Sequence, residues 1–64
     1  MTRNDLEQWA RKVTEEAYAA DPYRADELAM AVLGRTVWSW DLLTIAQLRA
    51  VSRAMFHTAL ASRG

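Results

Sequence analysis

The chain has 64 residues, a formal net charge of zero and no cysteine. Its length fits one domain, and a domain of this size buries only about 60% of its unfolded surface, so it is marginally stable. The composition excludes disulfide bonds, and His57, the only histidine, leaves a zinc site with too few ligands. We therefore expect stability to come from helix packing and from association with other subunits, without a metal or cofactor.

Nothing in the chain predicts export or membrane insertion. Residues 1–5 lead directly into a charged segment instead of the apolar stretch of a signal peptide. The longest apolar run, residues 28–33, is far shorter than the roughly 20 residues of a membrane span. We expect a soluble, cytoplasmic protein without a membrane partner.

The two halves of the chain carry opposite charge. Residues 1–32 contain seven acidic and four basic side chains, a net charge of −3, whereas residues 33–64 contain one acidic and four basic side chains, a net charge of +3. This polarity favours attraction between the two halves, or between two antiparallel subunits. A nucleic-acid surface would usually need more positive charge than these few arginines supply.

A first helix is predicted from about Asn4 to Ala20. Asn4 is a favourable N-cap, and Glu7, three residues later, completes a capping box. Arg11 is spaced for an ion pair with Glu15. Apolar side chains recur at three- and four-residue steps and predict one buried stripe, formed by Leu6, Trp9, Ala10, Val13, Ala17 and Ala20.

A second helix is predicted over about residues 22–33. Proline suits its first position, Asp21 can cap it, and Gly34 suits the left-handed residue after its last turn. Tyr23 and Met30 fall on a different face from the predicted core stripe. That stripe consists of Ala25, Leu28, Ala29, Val32 and Leu33.

Residues 35–43 are too apolar for a solvated linker. One alternative is a short helical turn at about residues 36–42. The other is an extended stretch, which would place Trp38 and Trp40 on the same side. In either case we expect five bulky side chains to pack on some other surface, namely Val37, Trp38, Trp40, Leu42 and Leu43.

A third helix, at about residues 45–62, has the strongest signals. Residues 44–47 form a Thr-x-x-Gln capping box, and Leu43 and Leu48 have the spacing of a hydrophobic staple. Residues 63–64 supply a cation and a helix stop. The chain therefore predicts an all-α fold, a small three-helix bundle without strands.

The third helix carries more apolar surface than a helix on the outside of a small bundle usually shows. Leu48, Val51, Met55 and Ala59 form the centre of this surface. Ile45, Phe56 and Leu60 widen it to about half of the helix circumference. Either the helix is central in the bundle, or part of the face meets a second chain. Three tryptophans favour the second alternative, because aromatic residues are enriched at interfaces.

Beside this apolar surface lies a basic row formed by Arg49, Arg53 and His57, at steps of four residues. It is either a stripe that faces DNA, RNA or an acidic protein, or a solvated helix face that pairs with the acidic first half. Three cations make a weak phosphate footprint. No carboxylate lies in this helix to orient His57, so we expect no catalytic residues.

The leading hypothesis is a non-catalytic protein-binding module, such as a small regulator or inhibitor of the kind that bacteria and phages encode. Its partner would be another protein, including a second copy in a homodimer. The candidate partner-binding residues are Trp38, Trp40, Phe56, Tyr23, Met30, Arg49 and Arg53. The alternative is nucleic-acid binding through Arg49, Arg53 and His57, and a more remote one is an accessory subunit of an enzyme complex.

Overall fold

The computed structural model describes residues 2–62 and the backbone of Arg63. Three α-helices, α1 (Arg3–Ala20), α2 (Pro22–Leu33) and α3 (Ile45–Arg63), pack against one another, and a 3-10 turn spans Trp40–Leu42. No strand occurs in this part of the chain. The predicted three-helix bundle is confirmed, and the short turn falls within the predicted residues 36–42.

The start of α1 differs from the prediction. Thr2, and not Asn4, is the N-cap: its hydroxyl accepts a hydrogen bond from the backbone N–H of Asp5 at 3.2 Å. The Asp5 carboxylate accepts one in return from the backbone N–H of Thr2 at 3.3 Å. These two reciprocal bonds satisfy two N–H groups at the helix end, so the capping box is formed by Thr2 and Asp5 instead of Asn4 and Glu7.

The boundary between α1 and α2 follows the predicted chemistry. Asp21 accepts a hydrogen bond from the backbone N–H of Arg24 at 3.1 Å, and Pro22 occupies the first helical position. At the other end of α2, Gly34 has φ = 74° and its N–H donates to the carbonyl of Met30 at 3.0 Å. A single residue thus separates α1 from α2, which forces the two helices into a tight hairpin.

The start of α3 also agrees with the prediction. Thr44 N–H donates to Gln47 Oε1 at 2.9 Å, and Gln47 N–H donates to Thr44 Oγ1 at 3.1 Å. Leu43 and Leu48 both lie in the core, as a hydrophobic staple requires. The predicted contribution of the Arg63 side chain and Gly64 to the helix end lies outside the described residues.

The core is built mainly from small side chains. Its largest fully buried members are Leu48, Met55, Val13 and Val51, and five of its members are alanines, namely Ala10, Ala17, Ala25, Ala29 and Ala59. Alanine lets helix axes approach closely but contributes little buried apolar area per residue. The centre of the α3 face was predicted correctly, since Leu48, Val51, Met55 and Ala59 are all buried.

Some predicted core positions of α1 and of the loop are exposed instead. Trp9 and Ala20 of the predicted α1 stripe are exposed, whereas Thr14 is buried. In the loop, Val37 is 83% and Leu42 79% exposed, so these two of the five bulky loop residues do not pack on the described part of the chain. Short loop segments cannot turn every side chain toward the same surface.

Arg3 fastens the loop to the start of α1. One terminal nitrogen of its guanidinium lies 2.7 Å from the carbonyl oxygen of Leu43, 3.4 Å from that of Asp41 and 3.5 Å from that of Trp40. These carbonyls belong to the 3-10 turn and the residue after it. The cation thereby adds charge-assisted contacts to backbone acceptors of the loop, of which the Trp40 carbonyl also accepts the N–H of Leu43 at 3.3 Å.

Arg11 also differs from the prediction. Its guanidinium pairs with Glu7 at 3.2 Å, one turn before it, instead of Glu15. It also lies 5.9 Å from the ring centre of Trp40, within cation–π range. Helical side chains lean toward the N-terminus, and this direction brings the Arg11 guanidinium to Glu7.

Gly34→Ala tests the left-handed end of α2. A Cβ at this position meets nothing within 4 Å, so its cost is the backbone conformation alone. We expect the free energy of unfolding to fall by about 1 kcal/mol, because non-glycine residues disfavour positive φ. Chemical denaturation followed by circular dichroism measures it. An unchanged or raised stability, the usual result of glycine-to-alanine changes inside helices, would contradict the cap.

Candidate functional site

The candidate partner-binding residues fall on three separate surfaces. Trp38 and Trp40 lie in the loop, and Trp40 lies against α1 beside Arg11. Tyr23 and Met30 lie on α2. Phe56, Arg49 and Arg53 lie on α3. The structure therefore does not bring the predicted set together into one patch.

The directions of the helices decide which residues become neighbours. Thr2, Arg3 and Leu6 line one depression together with Ile45 and Arg49, so α1 and α3 begin at the same end of the molecule. Farther along both helices, Trp9 meets Phe56. Hence α1 and α3 run parallel, and their outer surfaces form a continuous two-helix face.

An exposed apolar cluster occupies this face. The rings of Trp9 and Phe56 are tilted by 44° with centroids 5.6 Å apart. Trp9 is 40% exposed, Phe56 39%, Ile45 50% and Leu60 51%. Together with the two neighbouring arginines these residues form a surface that we call the Phe56 face, consisting of Trp9, Ile45, Arg49, Arg53, Phe56 and Leu60.

The charge on the α3 side of the Phe56 face is purely positive. Residues 45–63 contain no aspartate or glutamate. Arg49 and Arg53 are exposed, and neither forms an ion pair with a carboxylate in the described part of the chain. The expected pairing of these arginines with the acidic first half is therefore not observed there, and both guanidiniums face solvent.

His57 lies beside this surface. Its ring meets Phe56 edge-on, with centroids 5.9 Å apart. On its other side a cleft of about 520 Å³ between α2 and α3 is lined by Asp21, Arg24 and Thr58, among others. The Thr58 hydroxyl donates to the carbonyl of Ala54 at 3.0 Å, the usual bond of a threonine within a helix.

Within the described residues, no group of three or more His, Cys, Asp or Glu side chains is placed to hold a metal ion. The cleft beside His57 has one acid, Asp21, which caps α2. A helix-capping carboxylate is already engaged by backbone N–H groups. The cleft therefore contains one carboxylate, and that carboxylate caps α2.

A second depression, of about 460 Å³, lies between α1 and the loop, on the side of α1 opposite Trp9. It is lined by Arg11, Thr14, Glu15, Tyr18 and Trp40. Trp40 also packs edge-on against Trp38, with centroids 5.4 Å apart. Both indoles are half-buried and contact the core, so they hold the loop against the bundle.

Tyr18 joins α1 to α2 at this depression. Its hydroxyl donates a hydrogen bond to Asp26 at 2.8 Å. Desolvation, the bond to Asp26 and the negative charge of Asp26 together raise the pKa of Tyr18 from 10.0 to about 12. The phenol therefore remains a neutral donor throughout the physiological pH range.

The third surface is the outside of α2. Tyr23 is 90% exposed and Met30 is 53% exposed, and the neighbouring Arg24 and Glu27 form an ion pair at 2.6 Å. Tyr23 and Met30 are separated by two helical turns, so they make a sparse row instead of a cluster. This surface is apolar at two points only.

Trp9 is the member of the Phe56 face that the sequence interpretation placed in the core. The sequence signal for its exposure was its position at the edge of the α1 stripe. The same stripe contains Ala10 and Ala17, and a contact closed by alanines leaves no room for a buried indole. A large residue at the edge of a stripe of small ones is therefore better read as a surface residue.

No known protein family, curated protein or solved structure matches this chain. Among the described helices, none has the length and apolar character needed to cross a membrane. The function must therefore be argued from the residues themselves.

The Tyr18–Asp26 bond can be tested by titration. In a Tyr23→Phe background, Tyr18 is the only tyrosine, and we expect its ultraviolet absorbance to report a pKa of about 12. Asp26→Asn removes the negative charge and should lower that pKa. Since the folded-state pKa is raised, the stability from this bond is present below pH 10 and is lost between about pH 10 and 12. An equal pKa in both variants would rule out the contribution of Asp26.

Proposed function

We propose that this protein is a non-catalytic protein-binding module, a small regulator or inhibitor that acts by occupying a partner protein through the Phe56 face. The observation that carries the proposal is the contact of two half-exposed aromatic rings, Trp9 and Phe56, between two parallel helices. Isolated exposed apolar residues are common, but adjacent aromatic and aliphatic ones on one face are typical of interaction sites.

The composition of the Phe56 face supports this role. Phe56, Leu60 and Trp9 would supply apolar area at the centre, and Arg49 and Arg53 would supply charge at the rim. Tryptophan and arginine are among the residues whose truncation most often weakens protein complexes. A partner with an apolar surface flanked by carboxylates would match it.

The other candidate residues have weaker support as the main contact. Trp38 and Trp40 already contact the core, so part of their apolar area is used within the bundle. Tyr23 and Met30 form a sparse row on α2. We propose that all four lie outside the principal interface. Tyr23 is therefore a suitable control position.

A bait experiment tests the proposal. Tagged wild-type protein, Phe56→Ser and the matched control Tyr23→Ser are incubated with a lysate of the organism that carries the gene, and retained proteins are quantified by mass spectrometry. We expect at least one protein other than the bait to be retained by wild type and Tyr23→Ser and reduced about tenfold or more with Phe56→Ser.

Retention that does not depend on Phe56 would contradict this assignment. Circular dichroism of each variant provides the folding control, because Phe56 also contacts Trp9. If Phe56→Ser is unfolded, Leu60→Ser replaces it, since Leu60 is 51% exposed and lies on the same helix face.

A second candidate function is nucleic-acid binding through Arg49, Arg53 and His57. The observation that favours it is that these three side chains are exposed on α3 and that the two arginines pair with no described carboxylate. The small number of cations argues against it as the principal function.

Titration with a fluorescent DNA duplex at about 50 and 200 mM salt separates the two candidate functions. For the protein-binding module we expect no binding at the lower salt concentration. Micromolar binding that falls steeply with salt, and that is lost in the double variant Arg49→Ser, Arg53→Ser, would instead support the nucleic-acid function. Tyr23→Ser is again the control.

A further inference from the structure

We propose that the occupant of the Phe56 face is a second copy of this chain, related by a two-fold axis that runs parallel to α1 and α3. This inference rests on the proposed function, since it uses the same surface: the second copy covers the Phe56 face in the free protein, and a different partner protein would bind in competition with it. In this arrangement α1 of one copy lies over α3 of the other, and the two Trp9–Phe56 pairs form one shared apolar centre.

The first argument is the division of apolar residues between core and surface. Among the fully buried side chains the largest are only Leu48, Met55, Val13 and Val51. The largest apolar side chains of α1 and α3, Trp9 and Phe56, remain 40% and 39% exposed. A second copy would bury both rings symmetrically.

The second argument is area. Two parallel helices about 28 Å long, at the usual axis separation, present a face on the order of 550 Å². Stable specific interfaces bury at least about 600 Å² per subunit, and weak or transient ones bury less. The Phe56 face therefore fits a weak dimer, and only if both helices take part.

The third argument is charge, and it selects the axis. An arrangement of α3 on α3 would place the carboxylate-free helix, with Arg49 and Arg53, against its own copy. An axis parallel to the helices instead places α3 over α1, which carries four carboxylates and three cations. One of these cations, Arg3, lies near Arg49, but its guanidinium is directed to the carbonyls of the loop. Because Arg49 and Leu6 line the same depression, Arg49 lies level with the first turns of α1 and would face Asp5 of the second copy.

Asp5 can accept this contact without giving up its local role. Its Oδ2 accepts the bond from Thr2 N–H, and a carboxylate offers a second oxygen and further lone pairs. Asp5 is exposed, so the arginine can reach it. Arg49 and Asp5 thus become complementary across the two-fold axis.

Sedimentation equilibrium of the purified protein tests the dimer. From about 10 µM to 1 mM we expect the weight-average mass to rise from near the monomer mass of 7.3 kDa toward twice that value. Leu60→Glu and Phe56→Ser should weaken dimerisation about tenfold or more. Tyr23→Ser, on the outside of α2, should leave it unchanged.

Arg49→Glu tests the orientation. In the proposed arrangement the new carboxylate faces Asp5 of the second copy, so dimerisation should weaken. In an arrangement of α3 on α3 the same change would remove repulsion between like charges and allow pairing with Arg53, so dimerisation would strengthen. A strengthened dimer would overturn the proposed axis.

A wild-type protein that remains monomeric over the whole concentration range would overturn the proposal of a second copy. If a different protein were still retained through Phe56, the proposed function would survive and its partner would be another chain. If Tyr23→Ser abolished the dimer and Leu60→Glu did not, the dimer would use α2 and the assignment of the Phe56 face would be wrong.

Discussion

The close contact of α1 with α3 over small side chains determines most of this structure. Ala10 and Ala17 of α1 and Ala59 of α3 are buried, and the α1–α3 contact is the most extensive of the three helix pairs. Interiors pack at nearly crystalline density, so a close helix contact of this kind has no space for an aromatic ring. Trp9 and Phe56 therefore lie outside the contact, where they cover its seam and remain partly open to solvent.

The loop depends on the same packing. With α1 and α3 parallel, α2 runs back in the opposite direction, and residues 34–44 connect its end to the start of α3 at the same end of the molecule. Arg3 bonds the carbonyls of the 3-10 turn, and the half-buried Trp38 and Trp40 pack on the bundle. The tryptophans thus serve two purposes: two secure the loop, and Trp9 contributes to an exposed face.

Local signals predicted the helices because capping and turn chemistry act within a few residues. The box at Thr44 and Gln47 and the glycine at position 34 are of this kind. The side on which Trp9 lies could not be predicted in the same way, because it depends on how closely α1 approaches α3. The contacts of Arg3 with the loop span about forty residues of sequence, and no periodic pattern contains such a contact.

In the proposed dimer, copies associate through the Trp9–Phe56 seam and not through the loop tryptophans or α2. The three indole N–H resonances in a proton–nitrogen NMR spectrum report on Trp9, Trp38 and Trp40 separately. Recorded between about 10 µM and 1 mM protein, the Trp9 resonance should shift with concentration while those of Trp38 and Trp40 stay in place. A shift confined to Trp38 or Trp40, or no shift at any concentration, would contradict dimerisation through the Trp9–Phe56 seam.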